Sequence, residues 1–297
     1  MKPILSLIGA GYWGSILYKN LNDLGFSVKY ICDLNKTDIV NTTDINDILK
    51  DNEVSGVLIS TPPKTHFEIT KRCLEAGKHV FVEKPLTLDP IESSILYNLA
   101  TTNFRILMVD ETFTYSPEFF FLKQVFETRM FGRILSLESH RANWGPFKTD
   151  VNVVWDLLPH DLSIILPLNN KIQRVYAIGT ETVNKGIIDN VDVLIDFANG
   201  FRAKLFASWL HRSKTRLLKL TTEVGIWSYD SATNKPPTFN GVEFPLLSYT
   251  TPLMLELGNF YHKICENDLQ LNPNPHIVVS HLSKIQESLD KKSVIWI

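Results

Sequence analysis

Cysteine is scarce in this 297-residue chain: Cys32, Cys73 and Cys265 lie far apart and form no CxxC pair and no Cys/His ligand set. That argues against a structural or catalytic zinc site, and no metal is expected. Long apolar runs are missing as well. No stretch of about eighteen apolar residues and no twin-arginine pair occurs, so neither membrane spanning nor export is indicated and the cytoplasm is the expected compartment. The apolar start, Met1 to Ile8, is cut short by Gly9, Gly11 and Gly14 and reads as a first strand rather than a signal peptide. Basic residues form no stripe. With 30 Lys and Arg against 32 Asp and Glu the net charge is -2, and nucleic acid is not an expected partner. Internal repeats and low-complexity tracts are absent.

What is present is an ordinary globular composition, 44% hydrophobic and 21% charged, in a chain long enough for two domains. From Ile4 to Asp110 short β-branched runs alternate with helical patterns. Strands are expected near Ile4 to Ile8, Val28 to Cys32, Gly56 to Ser60, His79 to Val82 and Arg105 to Val109. Helices are expected near Trp13 to Leu24, Thr65 to Ala76 and Pro90 to Thr101, with Gly25 and Gly77 at C′ positions. This alternation predicts an α/β Rossmann domain with a parallel, doubly wound sheet over residues 1–117. Residues 118–297 change to extended runs, with an Asn199-Gly200 hairpin signal between two of them and helices near Pro117 to Thr128, Pro252 to Asn267 and Ile277 to Lys291. They predict an α+β domain with a largely antiparallel, open-faced sheet.

The strongest local signal is Gly9-Ala10-Gly11-Tyr12-Trp13-Gly14, which follows a strand and opens a helix. Gly9 permits the tight turn, Gly11 lets backbone approach a pyrophosphate, and Gly14 allows close packing of strand and helix. Asp33 ends the second strand about twenty residues later, where a carboxylate can accept bonds from ribose hydroxyls and would repel a 2′-phosphate. NAD is therefore favoured over NADP, with Lys36 the one nearby residue that argues the other way. Further on, Ser60-Thr61-Pro62 with His66 and then Glu83-Lys84-Pro85 stand at strand ends, where α/β folds bind ligands. A lysine at such a place can stabilise charge on a substrate oxygen, although Lys84 taken alone reads as a surface charge.

Together these motifs resemble the glucose-fructose oxidoreductase and inositol dehydrogenase family (Gfo/Idh/MocA), and the similarity extends over essentially the whole chain. The resemblance implies cofactor contacts from Gly9, Gly11, Tyr12, Trp13, Gly14, Asp33, Thr61, Pro62, His66, Glu83 and Lys84. It also implies a catalytic set of Lys84, Asp156 and His160. Read without the family, Pro159 puts Asp156 near a helix N-cap and His160 in a first turn. There the positive helix end would lower the histidine's pKa and keep the imidazole neutral. A capping Asp and a half-buried His are the plain alternative for that segment. Asp110-Glu111 departs from the family pattern, in which a small residue and a neutral polar or basic one are more usual.

The expected chemistry is removal of a hydroxyl proton by His160, orientation by Asp156, support of the oxygen by Lys84 and hydride transfer to nicotinamide. No Tyr-x-x-x-Lys motif suits a short-chain dehydrogenase. Arg141, Asn143, His211 and Arg216 are substrate candidates, and the stretch Thr149 to Asp156 is similar to members acting on nucleotide-linked sugars, where Arg and Lys meet a diphosphate. The expected substrate is a sugar, cyclitol or sugar nucleotide. The competing reading is a non-catalytic NAD- or sugar-binding regulatory protein of the same fold. An open sheet face needs cover, so a homodimer or homotetramer is expected.

Overall fold

The structure, a computed structural model, describes residues 2–169, 171–233, 235–244 and 250–297. The chain divides into two compact units, Met1–Thr112 with Thr250–Val279, and Phe113–Tyr249 with Ser280–Ile297. The first unit opens with β1 (Ile4–Ile8), α1 (Tyr12–Asp23), β2 (Ser27–Cys32), α2 (Ile45–Leu49), β3 (Val54–Ile59), α3 (His66–Glu75), β4 (His79–Val82), α4 (Pro90–Thr102) and β5 (Leu107–Val109). The second holds α5 (Pro117–Thr128), β6 (Ile134–Trp144), α6 (Val153–Leu168), β7 (Ile172–Thr180), β8 (Asn190–Phe197), β9 (Arg202–Ser208) and β10 (Leu210–Thr222). It continues with β11 (Ile226–Asp230), β12 (Thr238–Phe239) and β13 (Val242–Glu243). The chain then returns to the first unit with α7 (Pro252–Glu266), and α8 (Asn274–Lys291) and β14 (Ile295–Trp296) end it.

The first sheet is parallel, in the order β2-β1-β3-β4-β5, as the alternating pattern predicts. Chain order reverses between β1 and β3, which makes the crevice beyond their carboxyl ends the place where such a sheet binds ligands. Gly25 and Gly77 close α1 and α3 as expected. Both are left-handed, with φ of +71° and +73°, and the residue after each donates back into the helix, Phe26 N–H to Leu21 O and Lys78 N–H to Cys73 O. The five-residue α2, started by the Asp44 side chain on Asn46 N–H, is too short to leave a periodic signal.

The second sheet has nine strands in the order β13-β12-β11-β10-β6-β9-β8-β7-β14, antiparallel except for β6 beside β9. α6 packs on one face, against β6, β8 and β9. Along β7, Val175 and Ala177 are buried while Tyr176 and Ile178 are exposed, the alternation of a strand covered on one side. The β8–β9 hairpin forms, but its turn differs from a two-residue Asn-Gly link. Phe197 N–H donates to Phe201 O across three residues, and only Gly200 is left-handed, at +82°. Among the described residues no helix is long and apolar enough to cross a membrane.

Two expectations change. α7, which chain order places beyond residue 118, belongs to the first unit, because Leu253, Leu257 and Phe260 share one helix face and join Leu5, Leu7 and Phe81 in a core cluster. α6 starts earlier than Pro159 suggests. Asn152 caps it through Val154 and Trp155 N–H, so Pro159 and Pro167 lie inside the helix. Twelve of its sixteen residues are buried, and that packing outweighs a proline penalty of about 3 kcal/mol.

If α7 is an integral part of the first core, Phe260→Ala, which empties a fully buried position against Phe81, lowers the unfolding free energy by about 3–5 kcal/mol. Denaturant titration checks this. A loss below about 1 kcal/mol would mean that α7 is only loosely attached.

Candidate functional site

The turn from β1 into α1 is built with no spare room. Gly9 has φ +96°, and a Cβ on it would stand 2.8 Å from the Ser60 carbonyl carbon and oxygen. On Gly14 a Cβ would stand 2.0 Å from the Gly9 oxygen. Ser60 Oγ donates to that same oxygen at 2.7 Å, locking the ends of β1 and β3 together. Gly11 differs, since a Cβ there meets nothing within 4 Å. The helix behind it has no side-chain cap and no acidic residue in its first turn. Its first intrahelical bond runs from Ser15 N–H to Gly11 O, so the N–H groups of Tyr12, Trp13 and Gly14 come before the ladder. An open approach, a glycine rim and an uncapped helix start free of negative charge fit a pyrophosphate.

Asp33 sits beside this cradle. One oxygen accepts from Ala10 N–H at 2.7 Å and the other from Asn35 N–H at 2.8 Å, which fixes the carboxylate at the end of β2 with lone pairs left for a diol. Tyr12 is 85% exposed. Trp13 turns its indole N–H to Asp110 Oδ2 at 3.1 Å, which leaves its backbone N–H on the side of the helix start.

His66 corrects its expected role. It is fully buried, with Nδ1 2.8 Å from Pro85 O and Nε2 2.8 Å from Thr61 O. Both ring nitrogens are taken by main chain, so His66 braces the Thr61-Pro62 loop against the Glu83-Lys84-Pro85 loop and presents no nitrogen to a ligand. Burial pushes its pKa down while the two carbonyls pull it up. Lys84 is half-buried at the end of β4.

Behind Lys84 lies a group of carboxyls that the sequence hints at only through Asp110-Glu111. Glu83, Asp110, Glu111 and Glu256 are all buried. Glu256 accepts from Glu111 N–H at 2.7 Å and from Thr112 Oγ1 at 3.0 Å. Glu111 accepts from Asn274 and Asn272 at 2.9 and 3.2 Å. Burial, then the Asp110 charge, drives Glu83 and Glu256 well above the ordinary carboxyl range. Burial pushes Glu111 up to about 8, with the Asp110 charge adding to it against the two asparagine bonds.

In the second unit α6 carries the candidate pair. Asp156 is buried and accepts from Lys148 Nζ at 2.6 Å and from Trp209 Nε1 at 3.0 Å. Neither partner carries a sequence signal: Lys148 stands eight residues before Asp156 in a loop with no motif, and Trp209 lies 53 residues beyond it. His160 lies one turn on, half-buried, with its ring edge-on to Phe113 at 5.0 Å between centroids. Because Asn152 is the cap, His160 is beyond the first turn. The helix-end argument for a neutral imidazole therefore fails, as that field fades within one turn. Asp161, next in the chain, is fully buried and accepts from Ser139 Oγ at 2.7 Å and Arg141 Nε at 3.1 Å. Arg141 is thus held by an ion pair, and its guanidinium lies 4.5 Å from the Phe113 ring centre. Arg216 lies over the same ring at 5.4 Å. Asn143 donates to its neighbour Gly145 O, and His211 is exposed with Nδ1 near Ser213 O. Among the described residues, neither makes a hydrogen bond or ring contact to this group. Among the described residues no set of three His, Cys, Asp or Glu side chains could hold a metal ion.

Family models match segments of both units. The family model described as an oxidoreductase family with an NAD-binding Rossmann fold matches residues 6–111, and the GFO/IDH/MocA C-terminal domain model matches residues 119–226. UDP-N-acetylglucosamine 3-dehydrogenase of Acidithiobacillus ferrooxidans is 32% identical over 170 residues, 57% of this chain. The match spans about half of that relative's length, 53%. The solved structure of the same enzyme superposes with a TM-score of 0.85 at 22% identity, covering 98% of both chains. Levoglucosan dehydrogenase, solved with NADH and L-sorbose, gives 0.84 at 19% identity over 100% of this chain and 99% of its own. At these identities the structural likeness speaks for the fold.

The raised Glu111 carboxyl has a signed consequence. Its folded value of about 8 exceeds the ordinary 4.5, so the stability it contributes is complete below about pH 4.5 and is lost as pH climbs towards 8. Glu111→Gln removes this titration. Measured against the parent, its relative unfolding free energy improves from pH 5 to pH 8 by at least about 1.4 kcal/mol, the equivalent of one pKa unit. A difference independent of pH would show that the carboxyl is ionised throughout.

Proposed function

Given that the chain belongs to the GFO/IDH/MocA oxidoreductase family, with its NAD-binding Rossmann fold, we propose that it is an NAD(H)-dependent oxidoreductase. It transfers hydride between nicotinamide and a secondary hydroxyl or ketone of a sugar, cyclitol or sugar nucleotide, nucleotide-linked sugars being favoured. The observation that carries the reading is the cradle at the β1–α1 turn: Gly9 and Gly14 admit no side chain, Gly11 is open, and the helix start is uncapped and free of acid. Asp33 beside it favours NAD over NADP, because a 2′-phosphate would face a fixed carboxylate.

Bound NAD supplies the hydride acceptor, and the protein supplies position and proton handling. His160 takes the hydroxyl proton. Asp156 orients that part of the site, and Lys148 and Trp209, on its two oxygens, fix it in place. Lys84 donates to the substrate oxygen and supports the charge that develops there. The buried carboxyls behind Lys84 and the brace from His66 keep the strand-end loops rigid.

Mixing the protein with NAD and a panel of sugars and nucleotide sugars, while following nicotinamide absorbance, tests the proposal. Tight NAD binding without turnover on any of them would favour a regulatory protein instead.

Cofactor choice should follow Asp33: NAD(H) binds at least about tenfold more tightly than NADP(H), as buried like-charge opposition requires. Equal affinities would remove the role given to this carboxylate. For the chemistry, Lys84→Ala abolishes turnover but leaves NAD affinity within a few-fold. His160→Asn removes the acid limb of the pH–rate profile for oxidation. An unchanged acid limb in active His160→Asn protein would transfer the base role to another group.

A further inference from the structure

In the second unit two arginines stand directly opposite each other across adjacent strands. Arg216 on β10 is the register partner of Arg141 on β6, in the same row as Leu218 with Ser139 and Leu220 with Leu137. Leu137, Ser139, Arg141, Leu218 and Leu220 are buried, so this is the covered face of the sheet. Like charges at directly opposed positions destabilise a sheet, and removal from water raises that cost. A structural role would give each arginine a carboxylate. Arg141 has one, Asp161, at 3.1 Å. Arg216 makes no ion pair with any described residue, and the Asp230 carboxylate accepts from its backbone N–H instead. Lys214, two residues earlier, is exposed and likewise makes no ion pair with a described residue. The Arg141 and Arg216 guanidinium groups lie over one ring, Phe113, whose edge meets His160.

We propose that Arg216 and Lys214, backed by the fixed Arg141, form the receptor for a phosphoryl group of the substrate, so that the sugar is presented to His160 by its diphosphate. The inference rests on the oxidoreductase reading above. An arginine fork and an ammonium side by side suit a group with several anionic oxygens. A single carboxylate needs only one fork, and an uncharged sugar would leave this positive charge unanswered. The division of labour follows from the contacts. Arg141, tied to Asp161 and roofed by Phe113, is the fixed floor. Arg216 has no carboxylate to release before it turns to a ligand. Burial and the Arg141 charge disfavour its positive charge, and the Arg216 charge does the same to Lys214. An arriving anion relieves both.

Calorimetric titration of the full chain, saturated with NAD, with UDP, uridine and D-glucuronate tests the assignment. UDP is expected to bind at least about tenfold more tightly than uridine or glucuronate, and to weaken as salt is added. Arg216→Gln and Lys214→Gln each lower UDP affinity by about tenfold or more. Without ligand, Arg216→Gln keeps or raises the Tm, since it ends the opposition to Arg141. The exposed Lys214 gives a second variant whose folding is not at stake.

Equal binding of UDP and uridine, or parental UDP affinity in both variants, overturns the proposal. Tighter binding of glucuronate than UDP overturns the phosphoryl assignment. Turnover separates it from the reading beneath it. Oxidation of an uncharged sugar with KM unchanged in Arg216→Gln sinks the phosphoryl receptor and leaves the oxidoreductase standing. UDP binding that depends on Arg216, with no NADH formed from any sugar or nucleotide sugar, supports the receptor and sinks the oxidoreductase.

Discussion

The first unit depends on one close approach: the α1 backbone at Gly14 lies so near the Gly9 carbonyl that a Cβ would come within 2.0 Å of it. That contact sets how closely the helix follows its strand. It brings the uncapped helix start over the end of β1, and the Ser60 bond to the same carbonyl ties β3 to the arrangement. The neighbouring strand-end groups are tied to this junction. Asp33 is held through Ala10, the residue between the first two glycines, and the Thr61 loop that follows Ser60 is carried by His66 to the loop of Lys84. A side chain at Gly9 would press on the Ser60 backbone beyond β3, and one at Gly14 would push α1 off the end of β1.

The second unit is arranged around a helix rather than a turn. α6 is apolar on nearly every side and tolerates two prolines because its partners surround it. Its few polar residues are therefore expensive to bury, and each has a partner. Asp156 is met by Lys148 and Trp209, and Asp161 by Arg141 and Ser139. These contacts fix the helix rotation and with it the direction in which His160 points. Buried carboxylates do the positioning here, as an unpaired charge on such a helix could not be kept.

Charge is distributed differently in the two units. Near Lys84 the first unit buries four carboxyls, most of them held towards the protonated form by loss of water and by each other. On the covered face of the second sheet, Arg141 and Arg216 oppose each other, and among the described residues only Arg141 has an ion-pair partner. Neither arrangement helps folding by itself, and costs of this kind tend to gather at sites of function. Asp110-Glu111 lies inside the first group, and Glu256 reaches it from α7.

Much was legible in the chain by itself, for reasons of locality. The tight turn through Gly9, Gly11 and Gly14 and the strand end at Asp33 are legible because a strand–turn–helix and the strand after it are neighbours in sequence. Gly25 and Gly77 mark helix ends because a left-handed residue is a local requirement. The parallel and antiparallel halves follow from patterns a few residues long. What the sequence could not supply depended on packing between distant segments. Pro159 misplaces the start of α6, since local propensity says nothing of the burial that overrides it. His66 looks like a ligand contact until two carbonyls, from Thr61 and Pro85, are seen to occupy its ring. Lys148 and Trp209 carry no signal of their partnership with Asp156, and the return of α7 to the first core is decided by Phe260 meeting Phe81. The sequence determined which turns and periods the backbone takes, because these are set by sterics within a few residues. The tertiary structure decided which charges are paired and which are left open, because pairing depends on distances that only the folded chain defines.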